Sequence, residues 1–190
     1  MDVTNVTTGK PNPAGAVWWA PLGTTLPTDA TTALDNAFLP LGYCSEDGLV
    51  NADSITTENI KAWGGDIVAT PQTEHVDTMK TKLLEILNPN VLKMVYGPDN
   101  VSGTLATGLT IRSNNSERPA GVFVCEMALR DGAKKRIVAP NAKLTALGEI
   151  NYKDNDAAGY DATLTCMSGG FGANDPDTHK EYIKRASVSG

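Results

Sequence analysis

A mainly β fold is predicted, an antiparallel β-sandwich or partly closed barrel with one short α-helix at its flank. Two observations carry this. First, four segments alternate apolar and polar residues with the period of two that turns one strand face to a core and the other to solvent. Leu105, Thr107, Leu109 and Ile111 oppose Thr104, Thr110 and Arg112; Phe123, Cys125, Met127 and Leu129 oppose Glu126 and Arg130. Leu144, Ala146, Ile150 and Tyr152 oppose Thr145, Glu149 and Asn151; Tyr160, Ala162, Leu164 and Cys166 oppose Asp161, Thr163 and Thr165. Second, 18 glycines and 11 prolines punctuate the chain as strands joined by turns require. A chain of 190 residues can bury one core without disulfides or metal, so a single domain over residues 1–190 is expected.

Taken in order, residues 1–15 are polar with Gly and Pro and read as a flexible N-terminal arm. AVWWAP, residues 16–21, is a first short strand in which Trp18 and Trp19 face opposite ways; if one enters the core, the other is left for solvent or a partner. Residues 28–38 are expected to form a short helix capped by Thr28, with Asp29 at its positive end and Ala33, Leu34, Ala37 and Phe38 on one face. Residues 41–44 are extended, and Glu46-Asp47-Gly48 is a turn within a loop over residues 46–54. Residues 54–63 and 67–87 make a long hairpin around Gly64-Gly65, which supply the positive φ a tight turn needs. On the second arm Met79, Thr81 and Leu83 share one face and Thr78, Lys80 and Lys82 the other; the phase blurs near Pro71, where a bulge or an edge is expected.

Asn88 caps a helix that begins at Pro89 and stops at Gly97, with Val91, Leu92, Met94 and Val95 on its apolar side. Asp131-Gly132 is a hairpin turn, residues 154–159 are another connection, and Gly169-Gly170-Phe171-Gly172 is a flexible connector. Residues 173–190 form a C-terminal extension with a short helix capped by Asp175, started by Pro176 and docked through Tyr182 and Ile183.

The hydrophobic fraction of 41% marks a folded rather than a disordered chain. Net charge is −6, which opposes a grip on nucleic acid or on anionic lipid. The whole excess lies in the first third. Residues 1–60 carry seven acids (Asp2, Asp29, Asp35, Glu46, Asp47, Asp53 and Glu58) against Lys10, whereas residues 61–190 balance. No basic, apolar signal segment opens the chain, and no apolar run is long enough to span a membrane. The three cysteines, Cys44, Cys125 and Cys166, form no CxxC pair; Cys125 and Cys166 fall on apolar strand phases and read as buried small hydrophobes.

Catalytic patterns are missing. His75 and His179 neighbour no Cys, Ser or acid in a nucleophile arrangement, and the glycines at 169–172 lack the Lys and Ser/Thr of a phosphate loop. Asp154, Asp156 and Asp161 miss the spacing of a calcium loop and read as a solvated turn. No catalytic residue, cofactor or metal is therefore assigned. Lys134-Lys135-Arg136 is the one basic run, read as a solvated hairpin tip or as half of an interface with an acidic partner.

Three long stretches carry a resemblance: GAVWWAPLGTTLPTDATTALDNAFLPLGYCSEDGLVNADS at residues 15–54, ENIKAWGGDIVATPQTEHVDTMKTKLLEILNPNVLKMVYG at 58–97, and KRIVAPNAKLTALGEINYKDNDAAGYDATLTC at 135–166. They resemble major tail tube proteins of long-tailed bacteriophages, over nearly the whole chain. The resemblance implies a fold related to the tube proteins of type VI secretion. It implies hexameric rings stacked into a hollow tail tube through which DNA passes at ejection without specific binding. It also implies a structural virion protein, not an enzyme, assembled in the host cytoplasm. The implied partners are further copies of the chain and the tape measure, tail terminator and baseplate-proximal tail proteins. Some relatives add an immunoglobulin-like C-terminal domain, for which this chain is expected to end too soon.

Within that reading a polar, acidic lining would repel DNA phosphates. The pore-lining candidates are Thr70, Gln72, Glu74 and Thr78, on one parity of the second hairpin arm. The ring-stacking candidates are Glu46 and Asp47, in an inter-subunit loop over residues 46–54, against Lys134, Lys135 and Arg136 in the next ring. The alternative is a β-sandwich adhesion or receptor-binding module of a virion or secreted assembly, which would not form hollow polymers.

Overall fold

The computed structural model describes residues 1–13, 15–172 and 174–185. In chain order its regular elements are β1 (Lys10–Pro11), β2 (Val17–Pro21), β3 (Leu39–Pro40), β4 (Cys44–Thr57), β5 (Ile60–Lys61), β6 (Ile67–Ala69) and β7 (Gln72–Leu83). The helix α1 (Pro89–Tyr96) follows, then β8 (Val101–Thr104), β9 (Gly108–Ile111), β10 (Gly121–Ala128), β11 (Lys134–Leu147), β12 (Tyr160–Cys166) and β13 (Lys180–Lys184). Among the described residues, nine strands join one antiparallel sheet whose main path is β3-β2-β10-β11-β12-β7-β4, with β1 added to β10 and β13 to β11. The ends, β3 and β4, do not pair with each other, so the fold is mainly β and sandwich-like, not a closed barrel.

Two apolar clusters flank this sheet. Met79 and Leu83 of β7, Phe123 and Cys125 of β10, Ile137 and Leu144 of β11 and Leu164 of β12 pack with the buried face of α1. That face is Val91, Leu92, Met94 and Val95, as its periodicity predicts, and Asn88 caps it by accepting from the Asn90 N–H at 2.9 Å. On the other side Ala20, Val122, Val124 and Val138 meet Phe38, with Trp18, Leu26, Leu34, Phe171 and Tyr182 around them. The middle strands are thus apolar on both faces. This changes two expectations. The strand at β10 has no solvent face, since Gly121 to Cys125 are all buried. Neither tryptophan is left over: Trp19 packs on the first cluster and Trp18 on the second.

The second cluster exists because residues 22–38 lie over the sheet, and there the expected helix does not form. Asp29 accepts from the N–H groups of Thr31 (2.5 Å) and Thr32 (2.7 Å), and Asp35 accepts from the Ala37 N–H at 2.9 Å. These local bonds satisfy the backbone in turns and compete with a helical ladder. Hydrogen bonds from the Thr32 hydroxyl, then from the Thr32 and Thr31 N–H groups, hold the Asp29 carboxyl well below its ordinary range.

The expected C-terminal helix is likewise replaced, by β13. Asp175 accepts from the Asp177 N–H at 3.0 Å but starts no helix. Lys180–Lys184 instead pairs with Lys134–Val138 and delivers Tyr182 to the second cluster. A run of five residues satisfies either period, and the side of Lys134–Val138 not taken by β10 supplies ladder partners that a short helix lacks. The last residues of the proposed extension, 186–190, lie outside the described residues.

Three boundaries also shift. β11 begins at Lys134, not near Leu144, and carries Pro140 where its register with β10 slips between Gly121 and Phe123, a bulge that tolerates proline. The segment read as one strand over residues 104–112 is a small hairpin, β8 with β9, whose Thr104 hydroxyl accepts from the Thr107 N–H at 3.1 Å. Glu46-Asp47-Gly48 lies inside β4 as a register break between Cys44 and Leu49, with Gly48 at φ 69° where a side chain would be strained. Residues 49–54 are therefore paired strand, not loop, and residues 46–48 are the break before them. The N-terminal segment is partly paired too: Lys10 and Pro11 lie against Ala128 and Met127.

Candidate functional site

The long hairpin is present and begins earlier than its sequence pattern suggests. β4 pairs with β7 from Leu49↔Thr81 to Thr57↔Gln72, and β5 with β6 continues toward the tip at Gly64 (φ 118°) and Gly65 (φ 102°). Its two halves differ. At the base, Asp77, Met79, Thr81 and Leu83 point into the body and are buried. Beyond Val76, nearly every residue on both arms is exposed. Exposed there are five large apolar side chains, Ile55, Ile60, Trp63, Ile67 and Val68, while Val50 is exposed nearer the base, opposite Lys80. A two-stranded ribbon has no interior, so alternation along it only sorts residues between two wet faces. Exposed apolar side chains at this density mark an interaction surface.

Asp77 marks the boundary between the two halves. It is 1% exposed. One carboxylate oxygen accepts from Asn51 Nδ2 at 2.8 Å. The other meets the Thr178 hydroxyl at 2.6 Å and His179 Nδ1 at 2.5 Å. Burial alone would raise the Asp77 pKa; the bonds from Thr178, His179 and Asn51 outweigh it and leave the carboxyl below its ordinary range. One side chain thus ties the hairpin base to the segment that leads into β13.

The pore candidates occupy one stretch of this arm. Gln72, Glu74 and Thr78 have the parity opposite to the buried residues of β7, and Gln72 and Glu74 are exposed. Thr70 is exposed but lies before β7, across Pro71. The stacking candidates separate. Glu46 and Asp47 are exposed on β4, while the basic run lies on β11, with β12 and β7 between them in the sheet. Lys134 is exposed, and Lys135 bonds Glu181 at 2.7 Å.

Arg136 corrects the reading of that run as a solvated tip. It is 3% exposed, its Nε lies 2.8 Å from Glu126 Oε1, its Nη2 contacts the same oxygen, and Nη1 donates to the Asp29 carbonyl at 2.7 Å. Alternation on β11 turns this residue inward, where a buried cation needs a paired carboxylate. The turn beside the run is Asp131-Gly132, as read from the sequence, and the structure holds both residues in the left-handed region.

Among the described residues no group of His, Cys, Asp and Glu could hold a metal ion, and no helix is long and apolar enough to cross a membrane. Cys125 and Cys166 are buried free thiols, each pushed up to about 12 chiefly by burial. His75 Nε2 lies 2.6 Å from Asp53 on the exposed ribbon. Sequence reasoning missed Asp77 and the apolar ribbon. An acid on the core parity of β7, between Val76 and Met79, was the available signal for the first.

A mainly β body from which a long apolar ribbon projects is a structural domain made to meet neighbours. The family model described as phage tail tube protein matches residues 12–183, and the chain belongs to that family. No curated protein matches the chain. It is thus a structural component of a phage tail.

Proposed function

We propose that this protein forms hexameric rings that stack into the tail tube and serve as the conduit for DNA ejection. The observation that carries this reading is the apolar hairpin beyond Val76, which buries nothing within its own subunit. A surface of that kind needs a partner, and in a homopolymer the partner is another copy, engaged heterologously so that rotation closes a ring. The tape measure, tail terminator and baseplate-proximal proteins would meet the ends of the tube. Assembly takes place in the host cytoplasm, which fits three free thiols. Negative-stain microscopy of concentrated purified protein tests the proposal: hollow tubes with six-fold rings are expected, and dispersed monomers that instead bind cells or glycans would favour an adhesion module.

Gln72, Glu74 and Thr78, with Thr70 beyond them, are proposed to line the pore. Their uncharged-to-acidic character offers DNA phosphates no cation to hold. A tube map that puts them on the outer wall removes that assignment. In the same tubes, hydrogen exchange over residues 1–15 and 46–54 should slow relative to the free subunit, because residues 1–13 are largely exposed and β4 is an edge strand whose outer side is unpaired among the described residues. Equal protection before and after polymerisation would count against their role as contacts.

Ring stacking is proposed to draw on charge between Glu46 and Asp47 of one ring and Lys134 and Lys135 of the next. Arg136, committed to Glu126 inside the subunit, supplies structure to that site. Each exposed pair is worth only ~0.2–1 kcal/mol, but copies around a ring act together. Lys134→Glu with Lys135→Glu should abolish polymerisation while the fold persists, and adding Glu46→Lys with Asp47→Lys should partly restore it. Normal polymerisation of the first variant at low salt rules the idea out.

A further inference from the structure

We propose that Trp63 at the hairpin tip of one subunit inserts into the cavity bounded by Trp18, Leu34 and Phe38 of another copy; this rests on the tube reading. In a polymer of one chain, every knob must find its hole on the same sequence. Trp63 is the most exposed of the described tryptophans, fully in solvent on a turn where the Ala62 N–H donates to the Asp66 carbonyl at 2.7 Å. At about 3.3 Å per residue, residues 54–63 carry it roughly 30 Å from the hairpin base, a distance comparable to a subunit. It can therefore reach beyond its own body.

The hole has matching properties. The cavity has a volume of about 400 Å³, which exceeds that of an indole; beside its apolar wall of Trp18, Leu34 and Phe38 it carries polar groups of Asp35, Asn36, Glu126 and Lys134. Its wall residue Trp18 has a buried Nε1 with no hydrogen-bond partner among the described residues. A buried N–H of this kind is costly, and a shift of Trp18 as the indole enters would turn it toward the carbonyls of the Gly64-Gly65 turn beside Trp63. Charge agrees as well. Lys134 lines the cavity and makes no ion pair among the described residues, and neither does Asp66 on the tip. An indole seated in the cavity would bring Asp66, three positions along, toward Lys134. The cavity's floor is held by the Arg136–Glu126 pair, so it exists before the partner comes.

The test uses the full-length chain. Trp63→Ser, at a fully exposed position, should leave the melting temperature unchanged and raise the concentration needed for tube formation at least tenfold, with Trp63→Phe restoring most of it. A double variant, Ala62→Cys with Ala33→Cys, keeps Trp63 and places one thiol beside the knob and one on the cavity wall. Under mild oxidation its assembled tubes should give an inter-subunit disulfide between positions 62 and 33. Tubes that form normally with Trp63→Ser, or tubes of the double variant without the 62–33 link, overturn this contact and leave the tube reading intact. A wild-type chain that never polymerises removes both.

Discussion

Replacing Asp77 with alanine should destabilise the protein by about 3–5 kcal/mol, the range seen when one partner of a buried charged network is removed. The carboxylate is buried and serves Asn51 from β4 and Thr178 and His179 from the segment before β13. Without it, three donors from two distant parts of the chain lose their acceptor together. Chemical denaturation of the isolated subunit measures the loss. Asp77→Asn separates charge from shape, because it keeps an acceptor oxygen but cannot serve all three donors. The same carboxyl sets an acid limit. Its folded pKa lies below the ordinary carboxylate value, so its contribution is present above pH ~4 and fades as pH falls through the folded value. Wild type should therefore lose more stability between pH 5 and strongly acid solution than Asp77→Asn does. Parallel acid profiles for the two proteins would show that Asp77 does not hold this junction.

Leu92→Ala should be comparably damaging, about 2–5 kcal/mol, with a fall in melting temperature on the order of 10 °C. Leu92 is fully buried in the first cluster on the face of α1 that covers the sheet. The helix is short, so little of its stability comes from its own ladder, and packing must hold it in place. A loss under ~0.5 kcal/mol would contradict a core position for this helix. Because α1 lies far along the chain from the hairpin tip, tubes that still form from the folded fraction would separate this effect from assembly.

Where one face was buried and the other wet, the sequence was readable. Met79, Thr81 and Leu83 on β7, the four apolar positions of β12 and the capped helix α1 all follow their periods. Reading failed where a second layer intervened. Val122 and Val124 are buried opposite Phe123 and Cys125 because residues 22–38 return over the sheet, and periodicity in β10 alone cannot report that cover. The basic run misled for a related reason. Three adjacent cations look solvated in one dimension, but strand parity sends Arg136 inward to a carboxylate ten positions upstream on the paired strand. At Asp29, read as the acid at a helix's positive end, and at Asp175, read as a cap, helix-start residues were present without helices behind them, since an Asx turn satisfies the same carboxylate. The surface offered for assembly was least legible, because exposed apolar residues on a ribbon follow no rule of burial until their partner is present.

The pairing of β4 with β7 runs without a glycine from Leu49 to Thr57 and from Gln72 to Leu83, and it passes from solvent into the core along the same two strands. It behaves as a cantilever, clamped at Asp77 and free at its far end. From Leu49 to Thr57 its register slips once, between Thr56 and Thr57; inside that bulge the ladder has no break to absorb a misplaced contact, so a push there is felt as torque at the clamp. If the free end meets a neighbouring subunit, as proposed, the angle between subunits would be written at the root of the arm, several strand residues away from the contact, and small changes around Asn51, Asp77 and His179 would alter the pitch of an assembly without altering the surfaces that join it.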